Sequence, residues 1–212
     1  MKDMKTFVYT ELQLTMPFAD APWQKINQVL LKQPGLLNKT WLAGVGNHSL
    51  GGFYVFESRE TAQEFVNGYF PGEAASIGVA QTTRLYDGEI TEAASRDMNS
   101  VHFGARLEML PRAFVYTDVQ LNIPFGDVPW KTMNPILKAQ PGILSKTWLS
   151  ALHCHNPGGL YAFDSVENAK RFALEYFPTE AKQLGGAFTT RVFDGEVVAE
   201  ASRELNSPFY QL

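Results

Sequence analysis

The sequence predicts an α+β chain in which one strand–helix–strand–strand–helix–strand unit is written twice. Three observations carry this. The stretch from Gln33 to Phe56, QPGLLNKTWLAGVGNHSLGGFYVF, returns from Gln140 to Phe163 as QPGILSKTWLSALHCHNPGGLYAF. The correspondence runs without a gap from Phe7–Phe103 to Phe114–Tyr210, an offset of 114 − 7 = 107 residues, with about half of the positions identical. Within each copy the hydrophobic period switches between 2 and 3.6 in the same order. A repeat this long means two domains rather than a solenoid. Residues 1–103 form the first repeat with its C-terminal arm, 104–113 the linker with Gly104 and Pro111, and 114–212 the second repeat with its arm.

Each element has its own justification. FVYTELQL (Phe7–Leu14) and FVYTDVQL (Phe114–Leu121) are rich in β-branched and aromatic residues, with Val8, Thr10, Leu12 and Leu14 on one face, so they read as strands. Pro17 and Pro124 break them. Asp20 is placed to cap a helix with Pro22 in its first turn, and Trp23, Ile26, Val29 and Leu30 follow at helical spacing. In the second copy Asp127, Trp130, Met133, Ile136 and Leu137 play these parts, and Pro135 is expected to shorten or kink the helix. Pro-Gly then turns the chain into a hairpin that carries Trp41 or Trp148 and passes through His-x-x-Gly-Gly. Ser58 and Ser165 cap a second helix with stripes Ala62, Phe65, Val66, Tyr69, Phe70 and Ala169, Phe172, Ala173, Tyr176, Phe177, expected to close at Pro71 and Pro178. A fourth strand, AQTTRLYDG or AFTTRVFDG, precedes a polar arm that keeps Ser95-Arg96 and Asn99-Ser100 as Ser202-Arg203 and Asn206-Ser207.

This order is the ferredoxin-like split βαββαβ unit. Both helices lie on one face of an antiparallel sheet, so the other face needs cover. Two units in one chain satisfy that by packing sheet to sheet as an intramolecular α+β barrel, with each arm clamping the opposite half. Further oligomerisation stays open.

Composition narrows the function classes. Lys and Arg number 18 and Asp and Glu 22, a formal charge of −4 with no basic cluster, which argues against nucleic acid and against an anionic membrane surface. The N-terminus, MKDMKTFVYTELQLT, has no apolar core of a signal peptide, and no apolar run approaches a membrane span. A single cysteine, Cys154, points to a reducing, cytoplasmic setting. No nucleotide, flavin or nicotinamide motif is present, so no cofactor is expected. His153-Cys154-His155 looks like a ligand run, but the first copy holds Gly46-Asn47-His48 there, so no metal is expected either.

Pro34, Gly35, Leu37, Lys39, Trp41, Asn47, His48, Gly51, Gly52, Tyr54 and Phe56 form a pattern that resembles the YdhR-like monooxygenases, small members of the dimeric α+β barrel superfamily. The second copy keeps all of these except Asn47, replaced by Cys154, and the likeness covers each copy nearly end to end. The resemblance implies a fused dimer and a cofactor-independent monooxygenase acting on a phenolic or polyketide-like aromatic small molecule. The alternatives are a non-catalytic binder of apolar ligands and a polyketide cyclase or isomerase of the same superfamily.

On that reading His48 or His155 deprotonates the substrate, near-neutral imidazoles being suited to it. The competing role is a loop histidine bonded to backbone. Arg84 or Arg191 holds the anion, or else pairs with Glu11 or Asp118. Trp41 or Trp148, with Tyr54 or Tyr161, walls the pocket, unless the indoles are simply core. Lys39 and Lys146 sit two residues before the tryptophans on the same face, and Asn47 fixes the loop or the histidine tautomer. Gly51 and Gly52 are assigned unusual φ angles for the turn. His48 is expected to matter more than His155, because the loop in the second copy has lost its Asn and gained Pro157.

Overall fold

The computed structural model describes residues 5–211. Residues 1–4 of the N-terminal stretch, and residue 212 at the end of the second repeat, lie outside the described residues. The chain forms two compact units that do not follow the repeats: 1–89 with 197–211, and 90–196. Each unit is thus one βαββαβ core closed by the arm of the other repeat.

In the first unit β1 (Thr6–Leu12), β2 (Leu36–Gly44), β3 (Leu50–Phe56) and β4 (Gln81–Asp87) lie in the order β4-β1-β3-β2, all pairs antiparallel. Helix α1 (Trp23–Leu30) follows β1. A second helical run comprises α2 (Arg59–Glu64), a π turn (Phe65–Tyr69) and α3 (Phe70–Ser76). The second unit begins with its arm helix α4 (Glu92–Asp97). Its sheet runs β8-β5-β7-β6, from β5 (Ala113–Val119), β6 (Ile143–Ser150), β7 (Pro157–Phe163) and β8 (Phe188–Asp194). Helix α5 (Trp130–Lys138), then α6 (Val166–Arg171), a π turn (Phe172–Tyr176) and α7 (Phe177–Leu184), cover one face. The other arm helix, α8 (Ala199–Glu204), belongs to the first unit.

Ser58 and Ser165 cap as expected, accepting from the amides of Thr61 and Asn168 at 3.2 and 3.3 Å. Asp20 does not; Pro22 occupies the N-cap of α1. The prolines expected to end the second helix sit inside it. In both runs the π turn lets a phenylalanine amide reach back five residues, Phe70 to Phe65 and Phe177 to Phe172. The wider turn shifts the hydrogen-bond ladder just before a residue that has no N–H to give, so the helix carries on through Pro71 and Pro178. Nor does Pro135 shorten its helix: α5 spans nine residues against eight in α1. Pro135 and Lys131 are both exposed, so water can serve the Lys131 carbonyl that lacks a partner.

In the second unit Val115, Val119, Trp148, Tyr161 and Phe163 share a core with Phe172, Phe177 and Ala181 of the covering helices. This is the face that holds the site. The opposite-facing Phe114, Leu149, Leu160 and Phe193 are buried as well.

Candidate functional site

The site is built on the helix-covered face of each sheet, around a lysine. Lys39 on β2 and Lys146 on β6 are each 1% exposed, although lysine is among the residues least often buried. The strand period aims both at the helices beside Trp41 and Trp148. Lys39 Nζ lies 2.9 Å from the centroid of the Trp41 ring and 4.9 Å from that of Tyr54. Lys146 Nζ lies 2.7 Å from Trp148 and 4.9 Å from Tyr161.

The second glycine of each Gly-Gly pair makes this possible. A Cβ on Gly52 would stand 2.5 Å from Lys39 Cε, and one on Gly159 2.8 Å from Lys146 Cε and 2.9 Å from the Tyr161 ring. The first glycine is required for a different reason, since a Cβ on Gly51 or Gly158 would strike the backbone carbonyl of Thr10 or Thr117 in the adjacent strand. None of these four has a positive φ, so close approach rather than turn geometry explains them.

The tryptophans are fixed from behind by the arms. Trp148 Nε1 donates to Asn134 Oδ1 at 2.8 Å, and Asn134 Nδ2 donates in turn to the Ala94 carbonyl at 3.1 Å and to Asp97 Oδ2 at 2.8 Å. The Trp148 amide donates to Ser95 Oγ at 2.9 Å. The first unit repeats the arrangement with Asn27, Ala201, Glu204 and Ser202 around Trp41. Each indole therefore has its polar edge satisfied at the back and its face turned toward the lysine.

Burial pushes the Lys146 amine well below the usual lysine range, because a charged ammonium loses its hydration there. The ring faces oppose this. A desolvated cation–π contact contributes about 2 kcal/mol, or about 1.5 pKa units, against shifts of about 3–5 units for fully buried lysines. Desolvation wins. In the first unit burial lowers Lys39 too, but the negative charge of Glu73 pulls it back up. Glu73 is raised by its own burial and lowered by Lys39. The π turns bring a tyrosine to each carboxylate: Tyr69 donates to Glu73 at 3.4 Å. Tyr176, beside Glu180, is pushed up to about 12, chiefly by burial.

In the second unit a pocket of about 80 Å³ opens onto this group. Lys146, Trp148 and Tyr161 form its floor, and Met133, Phe177 and Glu180 are among the helix residues around it. An engineered apolar cavity that holds benzene measures about 150 Å³. A single aromatic ring therefore enters with the rest of the ligand toward the mouth, where Leu184 is 47% exposed, or by moving Met133, a flexible side chain.

The remaining expected residues are elsewhere. His48, Asn47 and His155 are exposed, and none of them lines this pocket. His48 and His155 have φ of +54° and +52°, with amides donating to the Gly44 and Ala151 carbonyls at 3.1 and 3.0 Å. Their geometry is that of loop-closing residues. Asn47 Oδ1 accepts from the Ser49 amide at 3.1 Å, so it shapes the loop. Arg84 and Arg191 are opposite Tyr9 and Tyr116 in the sheet register, whereas Leu85 and Val192 are opposite Val8 and Val115. That parity puts Arg84 on the face away from Lys39 and Trp41, and Arg191 on the face away from Lys146 and Trp148. Arg84 donates to the Thr83 carbonyl at 3.1 Å, and Glu11, its expected partner, accepts the Tyr9 hydroxyl at 2.5 Å. Among the described residues, no group of three His, Cys, Asp or Glu converges as a metal site, and no helix is long and apolar enough to cross a membrane.

Residues missed in the sequence are Asn27 and Asn134, Tyr69 and Tyr176, Glu73 and Glu180. All three pairs stand at the 107-residue offset. An Asn on the apolar side of a helix in both copies, and Tyr-Phe-Pro-x-Glu in both, are the signals that could have found them.

No curated protein matches the chain. Among solved structures, an anthrone oxidase-like protein is 19% identical, with 91% of this chain and 92% of that chain covered and a TM-score of 0.55. A mutant chlorite dismutase from Candidatus Nitrospira defluvii is 8% identical over 95% and 97%, with a TM-score of 0.52. A putative monooxygenase from Fusobacterium nucleatum subsp. nucleatum is 10% identical over 92% and 93%, with a TM-score of 0.50. At these identities the likeness concerns the fold, which is mixed α+β. Sequence speaks more directly: residues 10–96 match the family described as "Putative mono-oxygenase ydhR".

Proposed function

We propose that this chain is a cofactor-independent monooxygenase of phenolic or polyketide-like aromatic compounds, working chiefly in the pocket of the second unit. The observation that carries the reading is a buried amine, lowered by desolvation, beside an aromatic-walled pocket. Lowering moves such an amine toward the neutral form that can accept a proton, whereas an ordinary lysine is an acid already carrying its proton.

A phenol or an acidic aryl CH₂ group lies against Trp148, and Lys146 Nζ takes its proton. The resulting anion is electron-rich enough to pass one electron to triplet dioxygen, and the radical pair joins as a peroxide. The Lys146 ammonium returns the proton to the peroxide, which loses water to leave a carbonyl. The balance is R₂CH₂ + O₂ → R₂C=O + H₂O, with the substrate supplying all the electrons. The anion and the ammonium form together as a pair, and their mutual attraction offsets part of the cost of creating charge in a low-dielectric pocket. Tandem duplication of an ancestral homodimer, sheet-to-sheet packing of its halves and a cytoplasmic setting belong to the same proposal.

The test is oxygen uptake by the full chain with a panel of monocyclic and fused hydroquinones and anthrone-type compounds. Uptake matched to quinone or ketone formation, and lost in Lys146→Met, is the expected result. Quenching of tryptophan fluorescence without turnover would make the protein a binder, and conversion under argon would make it a cyclase or isomerase.

A further inference from the structure

The pocket of the second unit also has the parts of a carbonyl-capture site. We propose that Lys146 forms a covalent imine with aryl aldehydes and ketones that enter the pocket, an activity that needs no oxygen and is separate from the oxidation above.

The argument is geometric first. Lys146 is the amine on the pocket floor, and among the described residues its Nζ makes no hydrogen bond or ion pair. The Trp148 face on one side and the bare backbone of Gly159 on the other hold its chain in place. An amine without a salt-bridge partner keeps its lone pair available. Burial supplies the second condition by favouring the neutral form. An exposed lysine at pH 7 is neutral in only about 0.04% of molecules, from a pKa of about 10.4. An apolar pocket supplies the third, since water competes poorly with the amine and the imine is slow to hydrolyse.

In the reaction the nitrogen lone pair attacks the carbonyl carbon and a C–N bond forms to give a carbinolamine. Loss of the hydroxyl as water, with one proton from nitrogen, leaves the C=N bond: R₂C=O + H₂N–Lys → R₂C=N–Lys + H₂O. Asp127 and Glu180 line the same pocket, toward which the released water departs. Lys39 shares the burial but faces the charge of Glu73, which keeps more of it protonated. It is the built-in control.

The experiment uses the full chain under argon with limiting benzaldehyde and cyanoborohydride, which fixes the imine as a benzyl amine located by peptide mass spectrometry. At pH 7 Lys146 should be labelled at least about 100-fold faster than the exposed Lys131, given the difference in neutral fraction. From pH 7 to 9 the rate at Lys146 should rise by far less than the tenfold per pH unit of a lysine of ordinary pKa. Lys39 should fall between them. Lys146→Arg should abolish the fast adduct. Should that variant fail to fold, the wild-type rates and their pH slopes decide the matter alone. Labelling of Lys146 no faster than Lys131, or with the same pH slope, would overturn the proposal. Excluding oxygen keeps the result independent of whether the protein is an oxygenase.

Discussion

The two units place the same side chains on the same scaffold and balance their charges differently. In the first, Lys39 and Glu73 perturb each other, and Tyr69 bonds the carboxylate. In the second, burial alone acts on Lys146. A buried amine can meet its desolvation penalty by sharing charge with a carboxylate or by giving up its proton. Burial lowers both lysines; the carboxylate of Glu73 opposes the shift in the first unit, and no such charge opposes it in the second. The same side chains at the same offset therefore sit in different electrostatic surroundings, set by whether a carboxylate's charge reaches the lysine.

Removing each amine should have the largest effect. Lys146→Met should lower oxidation by about 10²–10⁴, the usual worth of a general base, and Lys39→Met by less than tenfold. Equal losses in oxygen uptake would erase the distinction between the units.

Next in size are the anchors, which should behave alike in both units. Asn134→Ala or Asn27→Ala leaves an indole N–H and two arm acceptors short of a partner, and each should cost about 1–3 kcal/mol by urea unfolding. A cost confined to one unit would show that the arms are not equivalent clamps.

The pH dependence of stability follows from the same groups. A lysine lowered in the folded state binds fewer protons folded than unfolded between its two pKa values. Stability therefore climbs with pH through that window up to 10.5. Above the ordinary tyrosine value of 10.0 the buried Tyr54 and Tyr161, both raised, reverse the trend, because the unfolded chain ionises first. Melting temperatures from pH 7 to 11 should rise and then fall, and Lys146→Met should flatten the rise and be the more stable protein at pH 7. A stability that falls steadily with pH from 7 would mean that the lysines are charged in the fold.

The smallest effect concerns the loops. Gly46 and His153 occupy the same left-handed backbone position, with φ of +84° and +72°. His153→Gly should stabilise by about 1 kcal/mol, the usual cost of a side chain in that region, without touching activity.

Much of the fold was legible because strand and helix periods are local. The shared face of Lys39 with Trp41, and of Lys146 with Trp148, followed from the two-residue strand repeat alone. The role of those lysines did not, because burial is a property of the assembled helices and sheet. The histidines attracted a catalytic reading through their chemistry, yet a side chain at positive φ in an exposed turn cannot be told from a catalytic one by its neighbours in sequence. Arg84 failed on parity: it shares a face with Tyr9, and nothing in a strand says which face the helices will cover. The π turns were invisible because one extra residue in a helical turn leaves the apolar stripe nearly unchanged.

One feature of the units bears on how the chain is made. Residues 90–196 form the second unit as a single uninterrupted segment, whereas the first needs 1–89 together with 197–211. On the ribosome the second unit therefore completes before the first, although the first starts earlier. Until Ala201, Ser202 and Glu204 emerge, Asn27 and the Trp41 backbone lack their arm partners. The nascent first unit waits through the synthesis of more than a hundred residues with its edge unclamped.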